Sequence, residues 1–153
     1  MKKNLDTFRS PSRFEHWFNA FVALLAKLGI TFRDGYRLIV IGRKSGKQYA
    51  VAVTVLSFQG QRYLVAPRGE TQWVRNARAA GQVTLEKGSS VQRFDIAEIC
   101  DEQKNAILAE YLNQYQKAVQ RYFPIPAGAE REAFEEIADY FPVFLLTPKA
   151  MNG

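Results

Sequence analysis

The sequence predicts a small antiparallel β-barrel or half-barrel flanked by helices, an α+β fold that is mainly β. Three observations predict it: five short strand-like runs lie between residues 36 and 99, tight turns separate several of them, and helical patterns flank them. The turn signals are Ser45-Gly46, Gln59-Gly60 and Lys87-Gly88. Short strands joined by hairpins are typical of barrels. The length of 153 residues fits a single domain, predicted over residues 1–153 with its barrel at about 36–148.

The first predicted element is a helix over residues 12–29. Its apolar residues recur at spacings of three and four from Phe14 to Leu28, and Gly29 ends the pattern. The apolar run from Trp17 to Ile30 is interrupted by polar residues and is too short to span a bilayer. The helix therefore has one broad apolar face.

The strands follow from alternation and turn residues. We predict them at Tyr36–Gly42, Gln48–Phe58, Arg62–Ala66, Gln82–Glu86 and Val91–Ile99, with a last buried strand over 143–147 after Pro142.

Three further helices are predicted between and after these strands. An alanine-rich stretch closed by Gly81 indicates a short helix. Asp101 is a suitable N-cap for a helix reaching about Val119, and the prolines of "FPIPAG" break the chain after it. A last helix is predicted over about 129–139.

Composition excludes several classes of chemistry. Cys100 is the single cysteine and His16 the single histidine, so one chain cannot build a disulfide or a structural zinc site of cysteines and histidines. We predict no metal site, place Cys100 in the core and assign neither residue a role. The net charge is 21 − 15 = +6, which favours an anionic partner.

The segment "GRKSGK" at residues 42–47, here called the cationic hairpin, concentrates positive charge. It is one residue too short for a P-loop, and Gln48 replaces the Ser or Thr that would hold magnesium. Since it joins two predicted antiparallel strands, backbone N–H groups at Ser45-Gly46 could form an anion-binding concavity. Arg43, Lys44 and Lys47 would add charge-assisted donors.

The strand after the cationic hairpin has one bulky and one small face. Tyr49, Val51, Val53 and Val55 alternate with the smaller Ala50, Ala52 and Thr54. Small side chains at Ala50 and Ala52 leave room for a flat ring. The alternative is a solvated cationic turn whose small neighbours accommodate a packed helix.

Two segments, "GRKSGKQYAVAVTVL" and "YLVAPRGETQWVRNARAAGQVTL", carry a resemblance to a known family. Over about residues 10–148 the chain resembles the deazaflavin-dependent nitroreductases, which are split β-barrels of the FMN-binding-like kind. The resemblance implies an oxidoreductase that binds the reduced 8-hydroxy-5-deazaflavin coenzyme (coenzyme F-420). Such enzymes pass its hydride to quinones, nitroaromatics or activated double bonds.

The resemblance also implies site residues. The phosphate and acidic tail of the coenzyme would be held by the cationic hairpin, through Arg43, Lys44, Ser45, Gly46 and Lys47. The deazaflavin ring would lie against the strand-end segment, namely Val65, Ala66, Pro67, Arg68 and Gly69. Many relatives have Ser-Lys-Gly where this chain has Pro67-Arg68-Gly69, so one hydroxyl near the ring is missing.

The Trp-x-x-Asn of the family falls on Trp73 and Asn76. At i and i+3 of a helix they share a face, where Trp73 could wall the site and Asn76 brace a loop carbonyl. The alternative for both is a core anchor with a satisfied polar neighbour. Arg68, Arg75 and Arg78 would either extend the positive surface or be merely solvated.

Hydride chemistry belongs to the cofactor, so the protein needs to bind and orient it rather than supply a nucleophile and base. Tyr115 and Tyr122 are the candidates for a substrate wall or a proton donor. The alternative places each as a core tyrosine.

Other functions stay open on the sequence alone. The chain could instead be an FMN-binding split-barrel flavoprotein or a non-enzymatic cofactor-binding protein, since FMN would also bring a phosphate to the cationic hairpin. Nucleic-acid binding is disfavoured, because no known motif accompanies the basic residues and the aromatics are dispersed. The N-terminal helix, with Arg9, Arg13 and Lys27 around its aromatics, is compatible with a lipid interface, with packing on the barrel or with a homodimer contact. We expect a cytoplasmic protein, either free or membrane-associated, that acts on a small-molecule electron acceptor.

Overall fold

The computed structural model describes residues 34–150 of the chain. The helix predicted over 12–29, and the membrane or dimer contact predicted for it, lie outside the described residues. In chain order the elements are β1 (Gly35–Ile41), β2 (Gln48–Phe58), β3 (Gln61–Val65), α1 (Gln72–Ala80), β4 (Gln82–Lys87), β5 (Ser90–Glu98), α2 (Gln103–Gln114), α3 (Gln116–Val119), α4 (Arg131–Ile137) and β6 (Val143–Pro148).

The six strands of the described region close into a barrel in the order β1-β2-β3-β6-β5-β4, and every neighbouring pair is antiparallel. β2 has the predicted bounds, and the other strands begin and end within one residue of prediction. β2 changes partner along its length: Gln48–Thr54 pair with β1, and Val55–Phe58 pair with β3. The predicted antiparallel barrel with flanking helices is confirmed.

The core has two parts, one inside and one outside the barrel wall. The inner part gathers side chains from the strands, and Val74 and Ala77 of α1 join it. The outer part is formed where α2 and α4 pack on one side of the wall, around Leu56, Tyr63 and Val143. Two helices thus cover part of one face of the sheet, while α1 adds to the interior.

The helices differ from prediction at their ends. α1 ends at Gly81, whose positive φ of 72° is the left-handed cap expected there. The Asp101 carboxylate accepts the Gln103 backbone N–H at 3.0 Å, although the helix cap itself is Glu102. α2 stops before Tyr115, whose φ and ψ of −113° and 26° interrupt the helix expected to reach Val119.

The last predicted helix is shorter than expected and continues as a 3₁₀ turn at Ala138–Tyr140. Cys100, predicted in the core, is exposed because it follows the end of β5 in the connection to α2. Among residues 34–150, no helix is both long and apolar enough to cross a bilayer.

Candidate active site

The cationic hairpin is a tight turn at one end of β1 and β2. Gly42 N–H donates to the Lys47 carbonyl at 2.7 Å, and Gly46 N–H donates back to the Gly42 carbonyl at 2.9 Å. Lys47 N–H donates to the Ser45 hydroxyl at 3.2 Å. Of the two backbone N–H groups that the sequence suggested for anion binding, that of Gly46 is therefore already occupied. The exposed ammonium groups of Lys44 and Lys47 add positive charge to this turn.

Asn76 fixes the cationic hairpin to α1. Its buried side-chain oxygen accepts the Arg43 backbone N–H at 3.0 Å and the Arg43 guanidinium at 2.8 Å. The same guanidinium donates to Gln72 at 3.1 Å. We expected Asn76 to donate a hydrogen bond to a loop carbonyl. That expectation is wrong, because the amide oxygen of Asn76 instead accepts a loop N–H. As part of this brace, Arg43 keeps other N–H donors available for an anion.

The N-terminus of α1 lies next to this brace, since Gln72 at its start accepts the Arg43 guanidinium. Thr71 is the N-cap residue but makes no side-chain capping bond, and the first turn has no acidic residue. Within residues 34–150, the buried Thr71 hydroxyl oxygen has no hydrogen-bond partner. Helix N-termini attract anions through free N–H groups and the helix dipole. Together the α1 N-terminus and the cationic hairpin form what we call the anion corner.

Trp73 is part of the barrel packing. Its ring is half-buried, lies 6.2 Å from the ring of Phe144 and packs against the inner core. This arrangement matches the alternative reading of Trp73 as a core anchor. Asn76 follows Trp73 by about one turn of α1 and reaches the cationic hairpin.

The two faces of β2 separate as the alternation predicts. Val53 and Val55 are buried in the inner core, and Val51 packs against it. Ala50 and Ala52 point the other way and are half-buried on the outer face. A larger side chain at Ala52 would therefore project outside the barrel rather than into its core.

The segment that follows β3 turns sharply toward α1. Val65 and Ala66 are buried, and Ala66 N–H donates to the Pro142 carbonyl at 2.9 Å, which extends the pairing of β3 with β6. Gly69 has a φ of +79°, and a Cβ there would lie 3.2 Å from the Tyr140 carbonyl oxygen. A residue other than glycine would be strained at that point.

A cleft of about 660 Å³ opens beside this segment. Its volume is in the range typical of small-molecule sites. The lining combines the turn after β3 with the region around the two prolines and the end of α4: Pro67, Arg68, Gly69, Glu70, Tyr122, Pro124, Ile137, Asp139, Tyr140 and Phe141. The cleft thus brings together Pro67, Arg68, Gly69 and Tyr122, which the sequence analysis had singled out separately.

Tyr122 is one of the residues that line this cleft, and its side chain carries a hydroxyl oxygen. That oxygen accepts a hydrogen bond from the Arg121 guanidinium at 2.9 Å, and the same guanidinium lies 4.9 Å from the ring centre of Tyr122. Since a phenol that accepts one bond keeps its own proton for donation, Tyr122 is equipped to donate toward a bound molecule.

Tyr115, the other predicted wall or proton donor, lies elsewhere. It is 3% exposed, belongs to the outer core and is absent from the cleft lining. Its hydroxyl donates to the Asp34 carboxylate at 2.9 Å. Burial raises the pKa of Tyr115, and the bond to Asp34 and its charge raise it further. This geometry corrects the wall assignment and matches the alternative of a core tyrosine.

Two features of the site escaped the sequence analysis. Tyr140, with 74% of its surface exposed, stands at the edge of the cleft. Arg78 was expected to extend the positive surface or to be solvated, but it pairs with Glu70 and Glu98. The sequence carried no signal for either, because both depend on where the chain returns after β3 and α4.

Comparison with protein families gives one match. The model of the family described as F420H(2)-dependent quinone reductase matches residues 19–129, more than half of the chain. That range covers the cationic hairpin, the turn after β3, α1 and Tyr122. A comparison with curated protein sequences gave no match.

Solved structures share the fold at low sequence identity. A protein of unknown function from Agrobacterium tumefaciens matches with a TM-score of 0.53 and 17% identity, over 76% of this chain and 49% of its own. The present chain thus spans about half the length of that protein. An F420-H2 dependent reductase, FDR-A, has a TM-score of 0.52 and 20% identity over 74% of this chain and 94% of its own. HutZ, the heme storage protein from Vibrio cholerae, has a TM-score of 0.56 and 11% identity over 78% of this chain and 84% of its own.

Proposed function

The chain belongs to the F420H(2)-dependent quinone reductase family, and from that premise we propose that it transfers a hydride from the reduced deazaflavin coenzyme to a quinone. Nitroaromatics and activated double bonds are further acceptor classes for the same chemistry. The observation that carries the proposal is the position of the anion corner next to the turn that leads into the cleft. An acidic coenzyme tail and a flat ring require these two environments side by side.

The residues of the anion corner fit the charged part of the coenzyme. Lys44 and Lys47 are exposed cations, and Arg43 is held beside a helix N-terminus that has no carboxylate in its first turn. The buried, unpartnered hydroxyl of Thr71 among the described residues is a further donor. Phosphate and carboxylate oxygens would satisfy these groups together.

The ring of the coenzyme would lie between the anion corner and the cleft. Backbone at Val65, Ala66, Pro67, Arg68 and Gly69 would flank it, with the small outer face of β2 at Ala50 and Ala52 leaving space. Gly69 keeps this turn tight, because its positive φ of +79° and missing Cβ leave room for the Tyr140 carbonyl oxygen. Pro67 supplies no N–H, so a polar edge of the ring would meet the neighbouring backbone groups instead.

When bound, the reduced deazaflavin supplies the hydride. The protein's own contribution is to hold the acceptor against the ring, since near-contact geometry accounts for a large part of such rate enhancements. Tyr122 would donate a proton to the reduced acceptor from the cleft wall. Arg121 keeps that hydroxyl oriented through its bond to the oxygen. No essential nucleophile or base is needed.

FMN is the alternative cofactor, because its phosphate would suit the same anion corner. Two associations also stay proposals: contact of the predicted helix over 12–29 with a membrane surface, and a homodimer built on that helix. Flotation with anionic vesicles tests the first, and sedimentation velocity tests the second.

Stopped-flow oxidation of the enzyme-bound reduced deazaflavin by a water-soluble quinone tests the proposed function. We expect single-turnover oxidation that is faster than the same reaction without protein, and a protein isolated without bound FMN colour. Tight binding of FMN, with no acceleration of deazaflavin oxidation, would overturn the proposal in favour of the flavoprotein alternative.

A further inference from the structure

Arg78, in the last turn of α1, joins two carboxylates from different parts of the chain. Its Nη1 and Nη2 donate to the two Glu70 carboxylate oxygens, both at 2.8 Å. Its Nε and Nη2 donate to the Glu98 carboxylate at 2.7 Å and 3.0 Å. Each pair is therefore a two-point contact that fixes direction as well as distance.

The direction of the Arg78 side chain follows from the helix. Side chains in an α-helix lean toward its N-terminus, so an arginine in the last turn extends back along the helix toward the residues that precede it. Glu70 lies there, before the first residue of α1, while Glu98 is the last residue of β5. Arg78 thus connects the turn after β3 to the barrel wall.

The turn after β3 has few other attachments on this side. Its backbone is held at Ala66, whose N–H donates to the Pro142 carbonyl, and the turn is closed by the Gly69 N–H, which donates to the Ala66 carbonyl at 3.1 Å. Beyond Gly69, Thr71 N–H donates locally to the Gly69 carbonyl at 2.9 Å. Glu70 therefore supplies the side-chain attachment between the cleft-lining residues and α1.

Glu70 also lines the cleft, so its charge matters to an anionic ligand. An unpaired carboxylate at this position would repel the phosphate and acidic tail that the anion corner attracts. Arg78 both neutralises Glu70 and holds its carboxylate toward the helix. Consistent with this pairing, the pKa of Glu70 is lowered, chiefly by its hydrogen bonds from Arg78.

We propose that Arg78 is a positioning residue for hydride transfer. It acts through Glu70 to fix the cleft-lining turn that Pro67, Arg68 and Gly69 form. This positioning role rests on the proposed function, whereas the attachment of Glu70 to Arg78 does not. Arg78 touches neither coenzyme nor acceptor. Its loss should loosen the turn and thereby the alignment of ring and acceptor, while the anion corner continues to bind the coenzyme tail.

The attachment is tested first in the free protein by amide hydrogen exchange. In Arg78→Gln and Glu70→Gln, the peptide covering residues 66–72 should exchange about two- to fivefold faster, the range expected for an exposed ion pair. Asp95→Asn is the matched control, since it removes the carboxylate of another exposed pair, with Lys149 at 3.6 Å. The control should leave that peptide unchanged. Wild-type exchange in Arg78→Gln would overturn the attachment.

The positioning role is tested by separating binding from turnover. Single-turnover hydride transfer at saturating quinone should fall about two- to fivefold in Arg78→Gln, while the Kd for the reduced coenzyme changes less. Arg78→Lys keeps the charge but loses the two-point contact, so it should recover binding fully and turnover in part. The double variant Arg78→Gln/Glu70→Gln should be no slower than Arg78→Gln alone, because both substitutions remove the same Arg78–Glu70 contact.

The outcomes separate the two proposals. If the wild-type protein does not oxidise the reduced deazaflavin, the proposed function fails, and hydrogen exchange still decides the attachment. If exchange rises in Arg78→Gln but single-turnover transfer equals the wild-type rate, Arg78 has a structural role alone and the positioning role is overturned.

Discussion

The anion corner and the cleft are joined by α1 and the turn before it, yet they differ in the kind of side chains that form them. In the anion corner, exposed cations surround a polar brace in which a buried amide orders Arg43. In the cleft, prolines, isoleucine and aromatic rings predominate, and Tyr122 is part of the lining. The anion corner is thus mainly cationic, whereas apolar side chains predominate in the cleft around the charged Arg68, Glu70 and Asp139.

This difference shows how the proposed site would divide coenzyme binding from the orientation of the reacting groups. Charged groups give affinity for an acidic coenzyme, and their effect is sensitive to salt. Apolar walls and fixed backbone give orientation, which is insensitive to salt. Substitutions in the anion corner should therefore change affinity, and those in the cleft should change the rate of transfer.

The largest expected effect is on the cleft side of the comparison. Tyr122→Phe should lower single-turnover reduction of a quinone by about 10²-fold, the lower end of general-acid assistance, with unchanged coenzyme affinity. The reason is the loss of the hydroxyl that would protonate the reduced acceptor. Stopped-flow absorbance of the bound coenzyme is the measurement.

Tyr140→Phe is the matched control for Tyr122→Phe, because Tyr140 also lines the cleft and lies at its exposed edge. It should leave the rate within about twofold of wild type. An undiminished rate in Tyr122→Phe would show that Tyr122 is no proton donor. Complete loss of transfer with binding intact would contradict the positioning account and make Tyr122 an essential acid.

The next largest effect is in the anion corner. Replacing Lys44 and Lys47 together by glutamine should weaken binding of the reduced coenzyme by about 30-fold at low salt, because two charge-assisted contacts are lost at an exposed site. The difference in affinity from wild type should shrink at about 0.5 M salt, because salt at that concentration screens exposed charges. Tryptophan fluorescence titration measures both.

Arg93→Gln/Lys117→Gln is the control for the lysine pair, since it removes the same two charges from exposed positions on β5 and α3. Its affinity should match wild type. Equal weakening in both double variants would mean that net charge, rather than the anion corner, attracts the coenzyme.

A smaller effect is expected from the outer face of β2. Ala52→Leu should weaken coenzyme binding by about tenfold while the melting temperature changes little, because the added volume would occupy space for the ring. Ala97→Leu places the same side chain at an exposed position of β5 and should bind normally. Early melting of Ala52→Leu with normal binding would instead place the site on the other face.

The smallest effect concerns the core rather than either region. Tyr115→Phe should leave coenzyme binding and transfer unchanged but lower the free energy of unfolding by about 1 kcal/mol, since a hydrogen bond to Asp34 is lost. Urea unfolding measures the loss. A strong defect in transfer would return Tyr115 to the reaction.

The pH dependence of stability follows from two buried tyrosine hydroxyls, those of Tyr111 and Tyr115. Burial raises the pKa of both Tyr111 and Tyr115, so the folded protein keeps protons that the unfolded chain releases near pH 10. Their contribution to stability is therefore complete below about pH 10 and declines as the pH rises further. In Tyr115→Phe this alkaline decline should be shallower, as measured by urea unfolding at several pH values. An identical decline would contradict the assignment.

The strands were predictable from sequence because their signals are local. Alternation and turn residues set β2 and its neighbours to within one residue. The end of α2 was not predictable from sequence, because Tyr115 donates a hydrogen bond to Asp34, 81 residues earlier in the chain. A helix that continued through Tyr115 was the better local prediction, but a distant contact accompanies the break.

The same distinction applies to the site. The charge of the cationic hairpin is visible in the sequence, whereas its brace joins Arg43 to Asn76 across 33 residues. The ion pairs of Arg78 and the edge position of Tyr140 likewise depend on tertiary structure. Residue types predicted which groups would bind an anion, and the fold decided which of them are free to do so.

The most direct test of the central claim compares two ligands on two proteins. Binding of the complete reduced coenzyme and of the same deazaflavin without its phosphate and acidic tail is measured for wild type and for Lys44→Gln/Lys47→Gln. The division between anion corner and cleft predicts that the double substitution weakens the complete coenzyme about 30-fold and leaves the tail-free deazaflavin unchanged. Equal weakening of both ligands, or of neither, would contradict the claim that the anion corner holds the tail while the neighbouring turn and cleft hold the ring.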